Sequence, residues 1–270
     1  MNLAACFSFD EADEGVGTIT RLRSAFGRDF SGFLVRTEQR DPGIPVWFPE
    51  SYGQFRSRLA ESRYPCFYGT VAEKNGDLFV GYAGGEDDVA RSAELLSTFL
   101  DVVTQRRLSR SIFALFFVPE ESHDLAHYQR KFWRLLAELG VHDDHPAAAG
   151  EPDSKEWEFV FHGEPMFVFA VCPAYERRRS RNMGPSFVVL FQPRVVFGVL
   201  GDADGSVVAT PRREIRRRSV EWDGMATHPD LGIYGSETNR EWKSYFLPDN
   251  VEPVTGSCPL GAMKQPAGEA

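Results

Sequence analysis

The strongest apolar pattern in the chain runs from Trp157 to Arg194. Trp157, Phe159 and Phe161 fall on every second position, the period of a half-buried strand. His162-Gly163-Glu164-Pro165 breaks the run as a hairpin loop would, and Met166–Val171 returns as a second strand. Phe187–Phe191 reads as a third. Upstream, Tyr64–Val71 and Asp77–Ala83 read as another hairpin. It closes across Glu73-Lys74-Asn75-Gly76, because Asn-Gly is a strong turn signal. Ile112–Val118 is apolar without a break and predicts a central strand buried on both faces.

Helical spacing fills the gaps between these runs. Pro49 suits a first helical turn, and Phe55 and Leu59 then share a face. Val89, Leu96, Phe99, Leu100 and Val103 recur with helical period after a cap at Asp87 or Asp88. Leu125, Tyr128, Phe132, Leu135 and Leu139 form the inner face of a helix from about Ser122 to Leu139, ended by Gly140. A short helix is expected around Ile19–Phe26, and another from Thr210-Pro211. The sum is an α+β fold in a single domain, residues 1–250. Its mainly antiparallel sheet is covered by two long helices, with a small parallel element left open. Residues 251–270, with Pro, Gly, Ser and Ala and little periodicity, are expected to be a disordered tail.

Composition narrows the function classes. A net charge of −9 argues against non-specific binding to nucleic acid or an anionic membrane. No apolar run approaches the ~20 residues of a membrane span, and Met1–Cys6 does not resemble a secretory signal. The cysteines at 6, 66, 172 and 258 have no C-x-x-C spacing and read as reduced thiols of a cytoplasmic protein. G-x-S-x-G, H-E-x-x-H and Walker motifs are missing, and Asp230–Gly235 lacks the flanks of a nucleotide loop.

The chemistry-bearing features are basic. Arg177-Arg178-Arg179-Ser180-Arg181 follows the Trp157 hairpin, and Arg194 follows the third strand. In an acidic chain such a cluster suits a discrete anion, and equally a solvated turn paired with nearby Asp and Glu. The helix from Thr210 carries Arg212, Arg213, Arg216, Arg217 and Arg218 over a thin stripe of Ile215, Val220 and Trp222. It reads as a solvated basic helix, an anion clamp, or a contact with an acidic face in a homodimer. His123 and His127, four apart, suit a metal pair or two solvated histidines, with no third ligand evident in the sequence.

The order W-E-F-x-F-x-G-x-P-M-F, C-P-A-Y-E-R-R-R-S-R and F-Q-P-R-x-V-F, starting at Trp157, Cys172 and Phe191, resembles the YqcI/YcgG family. Tyr64-Pro65-Cys66-Phe67-Tyr68-Gly69, Phe132-Trp133-Arg134-Leu135-Leu136 and Glu241-Trp242-Lys243-Ser244-Tyr245 match in the right order, so the likeness covers most of residues 60–250. It implies a heme-dependent N-oxygenase of a natural-product pathway. The enzyme would hydroxylate a side-chain nitrogen of a free amino acid, L-arginine first and L-lysine second, with dioxygen and a reductant, or with peroxide. It also implies heme b with a histidine axial ligand. His142 is the first choice, because the family's corresponding helix tends to end in a histidine followed by acidic residues. Here these are Asp143 and Asp144, which would orient the ring. Tyr64 and Cys66 stand as alternative ligands. Arg178, Arg181 and Arg194 would hold heme propionates or the substrate carboxylate, and Glu158 or Asp143 the cationic end of the substrate. Two rival readings are a non-catalytic heme carrier or sensor, and a colourless module that binds an acidic partner through the basic helix.

Overall fold

The computed structural model describes residues 7–10, 20–24, 34–35, 45–75, 77–84, 89–108, 110–145, 150–196, 209–233 and 236–263. Eight strands join one sheet: β1 (Phe7–Asp10), β2 (Thr20–Ser24), β3 (Leu34–Val35), β4 (Leu78–Ala83), β5 (Ile112–Phe117), β6 (Phe159–Phe161), β7 (Glu164–Val171) and β8 (Val188–Pro193). Their order is β3-β2-β1-β4-β5-β8-β7-β6. Every pairing is antiparallel except β4 with β5, which is parallel and spans Leu78↔Ile112 to Ala83↔Phe117. That parallel pair needs a crossover, and helix α3 (Val89–Arg106) provides it.

Strand alternation sends side chains to two separate cores. Phe79, Phe113, Leu115, Val168 and Phe191 face α3 and α4 (Leu125–Val141). Val80, Ala114, Phe116 and Leu190 face α1 (Phe48–Ala60), which buries Phe48, Tyr52, Phe55 and Leu59. Two long helices therefore cover only one face, and α1 covers the other. The α4 stripe, with Phe132 and Leu139 fully buried, carries much of the first core; each such side chain contributes about 1.5–3 kcal/mol. The helix starts at Asp124, whose carboxylate accepts the His127 N–H at 2.8 Å. It continues through Gly140 to Val141, two residues past the expected end at Leu139.

Several expected elements take other forms. The strand expected at Tyr64–Val71 is instead helix α2 (Phe67–Asn75). Cys66 Sγ accepts the Gly69 N–H at 3.4 Å at the start of the helix, and Thr70 Oγ1 donates to the Leu59 carbonyl of α1 at 2.7 Å, so both bonds support the helical form. β4 then pairs with β1 and β5 rather than with a hairpin partner. In place of the short helix around Ile19–Phe26, Thr20–Ser24 is a strand. The proposed caps Asp87 and Asp88 lie outside the described residues. The hairpin after β6 turns on two residues, His162 and Gly163, both with positive φ, as a type I′ turn requires.

The remaining helices are α5 (Ala209–Asp223), α6 (Trp242–Tyr245) and α7 (Pro259–Met263). Part of the segment expected to be a tail is built into the first core, since Cys258 and Leu260 are buried there. Residues 264–270 lie outside the described set. Among the described residues, no helix is long and apolar enough to cross a membrane.

One buried hydroxyl ties α6 to the sheet. Tyr245 Oη accepts the Phe159 N–H at 3.1 Å and donates to the Met166 carbonyl at 3.0 Å. Phe159 and Met166 are register partners in β6 and β7. Tyr245→Phe leaves both backbone groups buried without that partner. It is expected to destabilise the chain by about 1–3 kcal/mol, read as a lower urea midpoint with unchanged slope.

Candidate functional site

A cavity of about 550 Å³ opens on the face of the sheet shared with α1 and α2, within the ~300–1,000 Å³ range of small-molecule and cofactor sites. Its floor is the sheet itself. Phe167 and Phe169 of β7 and Gln192 of β8 point into it, while the intervening Met166, Val168 and Ala170 are buried on the opposite face. The half-buried state of Phe167 and Phe169 thus reflects an internal cavity rather than outer solvent. Its walls are α2 with the preceding Tyr64–Cys66, helix α5, and the segment from Met225 to Leu247.

Charge distinguishes this cavity from the rest of the molecule. Six arginines line it against three carboxylates, Asp77, Asp223 and Glu241, in a chain whose net charge is −9. The lining therefore suits an apolar body that carries anionic groups, with a subsite for a cation.

Two hydrogen-bonded groups shape the polar part. At one, Asp223 accepts the Ser180 N–H and the Ser180 hydroxyl, both at 2.7 Å. Burial pushes its carboxyl above the usual range, against the pull of Ser180 and of the nearby Arg178 and Arg181 guanidinium groups. Tyr64 donates to the Ser180 carbonyl at 3.0 Å, which anchors the wall next to Cys66. At the other, Arg194 pairs with both Glu158 and Glu241, and Asn239 Nδ2 donates to Glu241 Oε2 at 3.0 Å. Burial also raises the Glu241 carboxyl, with Arg194 and Asn239 opposing.

The residues singled out from sequence separate into two sets. Tyr64, Cys66, Arg178, Arg181 and Arg194 all line the cavity. His142 and Asp143 do not, because they follow α4, which packs on the other face of the sheet. His142 is the exposed C-cap of that helix. Asp143 accepts the His162 N–H with both oxygens at 3.1 Å and so holds the β6–β7 turn in its left-handed conformation. Glu158 is buried against Arg194 and lies outside the cavity lining.

The arginine cluster is mostly structural. Arg178 donates to the carbonyls of Pro248 and Asn250, and Arg179 to that of Trp222. Arg181 donates to the carbonyls of Ala170, Ser244 and Tyr245 and lies 4.8 Å above the Phe169 ring. The cluster's own backbone captures an anion from within the chain: Asp249 accepts the N–H groups of Glu176, Arg177 and Arg178 at 2.6–3.0 Å. Arg212 and Arg216 of the basic helix α5 also line the cavity, and Arg216 donates to the carbonyls of Leu231 and Gly232. Sequence reasoning missed Asp223 and Glu241. Glu241 opens the Glu-Trp-Lys-Ser-Tyr segment that carried the resemblance, which was the available signal.

Cys66 supplies the thiol of the lining, and no histidine is present there among the described residues. Burial pushes the thiol up, while the Gly69 and Tyr68 N–H groups at the start of α2 and the Arg181 guanidinium favour the thiolate.

The raised Asp223 carboxyl gives a pH signature. A carboxyl raised in the folded state contributes stability below its unfolded pKa, about 4, and loses that contribution as pH rises through the folded value. Asp223→Asn removes this loss. Stability of the variant relative to the native chain, from urea titrations, is expected to climb as pH increases above about 4. A flat difference would show that the carboxyl is not raised.

The family model of the YqcI/YcgG family matches residues 55–261. The YqcI protein of Bacillus subtilis is 34% identical over 232 residues, 82% of this chain and 90% of its own. The YcgG protein of the same organism is 35% identical over 251 residues, 86% of this chain and 94% of its own. Both are uncharacterised. A Streptomyces lavendulae protein provisionally named N(omega)-hydroxy-L-arginine synthase DcsA is 28% identical over 238 residues, 84% of this chain and 89% of its own. No solved structure matches. Matched along most of its length, including both the cavity floor and the walls built around Cys66 and Glu241, the chain belongs to the YqcI/YcgG family.

Proposed function

We propose that the chain is an N-oxygenase that hydroxylates a side-chain nitrogen of a free amino acid, L-arginine first and L-lysine second, with heme b in the cavity. The observation that carries this reading is the cavity lining: apolar aromatic walls, one thiol, an excess of arginine and two buried carboxylates. The name of the S. lavendulae relative supports the arginine substrate.

The donor chemistry of the cavity fits heme. Cys66 is the ligand candidate, and backbone N–H groups aimed at its sulfur would stabilise the thiolate that iron takes. Arg212 and Arg216, both in the lining, would meet the propionates. Heme, when bound, supplies an iron centre for transfer of one oxygen atom from dioxygen with a reductant, or from peroxide.

The chain's own residues would bind and orient the substrate. Glu241 would pair with the guanidinium or ammonium group. Its burial makes an ionised carboxylate costly without a cation, so substrate charge offsets that cost. Arg194 and Asn239 hold Glu241 in place. Phe167 and Phe169 exclude water from the apolar half of the cavity.

The test is an absorption spectrum of the chain expressed with heme supply, followed by product analysis with arginine and lysine. A Soret band is expected that shifts or disappears in Cys66→Ala and is unchanged in His142→Ala. Product is expected to be the N-hydroxy amino acid. Glu241→Gln is expected to raise KM for arginine by about 10- to 100-fold, since a hydrogen bond to a charged group is worth about 1.5–3 kcal/mol. No Soret band after heme reconstitution would sink the proposal; a band without turnover would leave a heme carrier or sensor.

A further inference from the structure

A second site lies apart from the cavity, where the chain leaves β5 and enters α4. Glu120, His123 and His127 each present one ligand atom, and these atoms lie within 4.8 Å of one another. We propose that the three form a site for a zinc-class divalent transition metal, with water completing the coordination.

The local structure converges on this arrangement. Asp124 caps α4 by accepting the His127 N–H, which fixes His127 in the first turn. His123, just before the cap, stacks on it with ring centroids 3.9 Å apart and planes 15° from parallel. His127 Nε2 stands 3.2 Å from Glu120 Oε2. Tetrahedral ligands about 2.1 Å from zinc lie about 3.4 Å apart, so this pair already has that separation. His123 is exposed, and a change of its side-chain rotamer would bring it the remaining distance.

A partner outside the three ligands fixes the carboxylate. Lys131, one turn beyond His127, is only 4% exposed, and its ammonium lies over the rings of Phe117 and Phe187. It bonds Glu120 Oε1 and leaves Oε2 directed at the histidines. Support of this kind orients metal ligands. The Lys131 charge offsets much of the Glu120 charge, which disfavours calcium and magnesium. Two imidazoles then favour zinc, nickel or copper.

The test is calorimetric titration of the chelator-treated, untagged chain with zinc chloride, compared with calcium and magnesium chloride. One equivalent of zinc is expected to bind with a rise in Tm. His123→Ala/His127→Ala, changed at surface positions, is expected to weaken binding by at least about tenfold. His145→Ala is expected to leave it intact, although His145 belongs to another histidine pair, with His162 at 4.5 Å. Zinc binding that survives the double variant, zinc binding no tighter than calcium, or no stoichiometric uptake would overturn the proposal. None of these readouts depends on heme or amino-acid turnover, so the two proposals stand or fall separately.

Discussion

One guanidinium group between two buried carboxylates joins the sheet to its candidate site. Arg194 leaves β8 and meets both Glu158, beside β6, and Glu241, beside α6. Glu158 and Glu241 are 4% and 7% exposed, so neither carboxylate is supported by bulk water. Like charges at that burial repel, and the shared guanidinium offsets part of that repulsion. The same contact carries a structural and a chemical role: Glu158 faces the sheet side, and Glu241 lines the cavity. The aromatic floor and the polar wall are thereby held in one frame, with the Tyr245 hydroxyl closing the adjacent hairpin.

The arginine-rich motif illustrates how a binding signature can be spent internally. Arg178, Arg179 and Arg181 satisfy backbone carbonyls from three distant segments, and the turn itself receives Asp249. A guanidinium has five donors in a rigid fork, so one such side chain can gather several loop carbonyls that no helix or strand would otherwise satisfy. The motif stabilises the irregular segment that roofs the cavity. Helix α5, whose thin apolar stripe left its role open, adds Arg212 and Arg216 to the lining, and Arg216 in turn donates to the carbonyls of Leu231 and Gly232. Ile215 and the arginines at 212 and 216 line the cavity together, which explains a helix too basic for a core and too apolar for a plain surface.

Where local pattern and local bonding agree, the elements were legible. The β6–β7 hairpin, the buried β5 strand and the apolar stripe of α4 follow from period and run length alone. Where a short apolar run could satisfy either period, the pattern failed. Phe67–Asn75 is helix α2, supported by the Cys66 sulfur and the Leu59 carbonyl, two partners that the apolar pattern does not report. Thr20–Ser24 became a strand because β1 and β3 offered ladder partners on both sides. Cys258 and Leu260 lacked periodicity yet found a place against α4, where burial did not require it.

Composition and motif order determined the family, the α+β class, the candidate chemistry and five residues that do line the cavity: Tyr64, Cys66, Arg178, Arg181 and Arg194. The tertiary structure alone decided which titratable groups share a space. In one dimension His142 was the first choice as ligand and Cys66 an alternative, but the sheet lies between them. Asp223 and Glu241 were not singled out as site residues in the sequence, but folding buried both beside arginines drawn from other segments. Membership in a site is a relation between side chains on different elements, and sequence spacing reports it only within one helix or one strand.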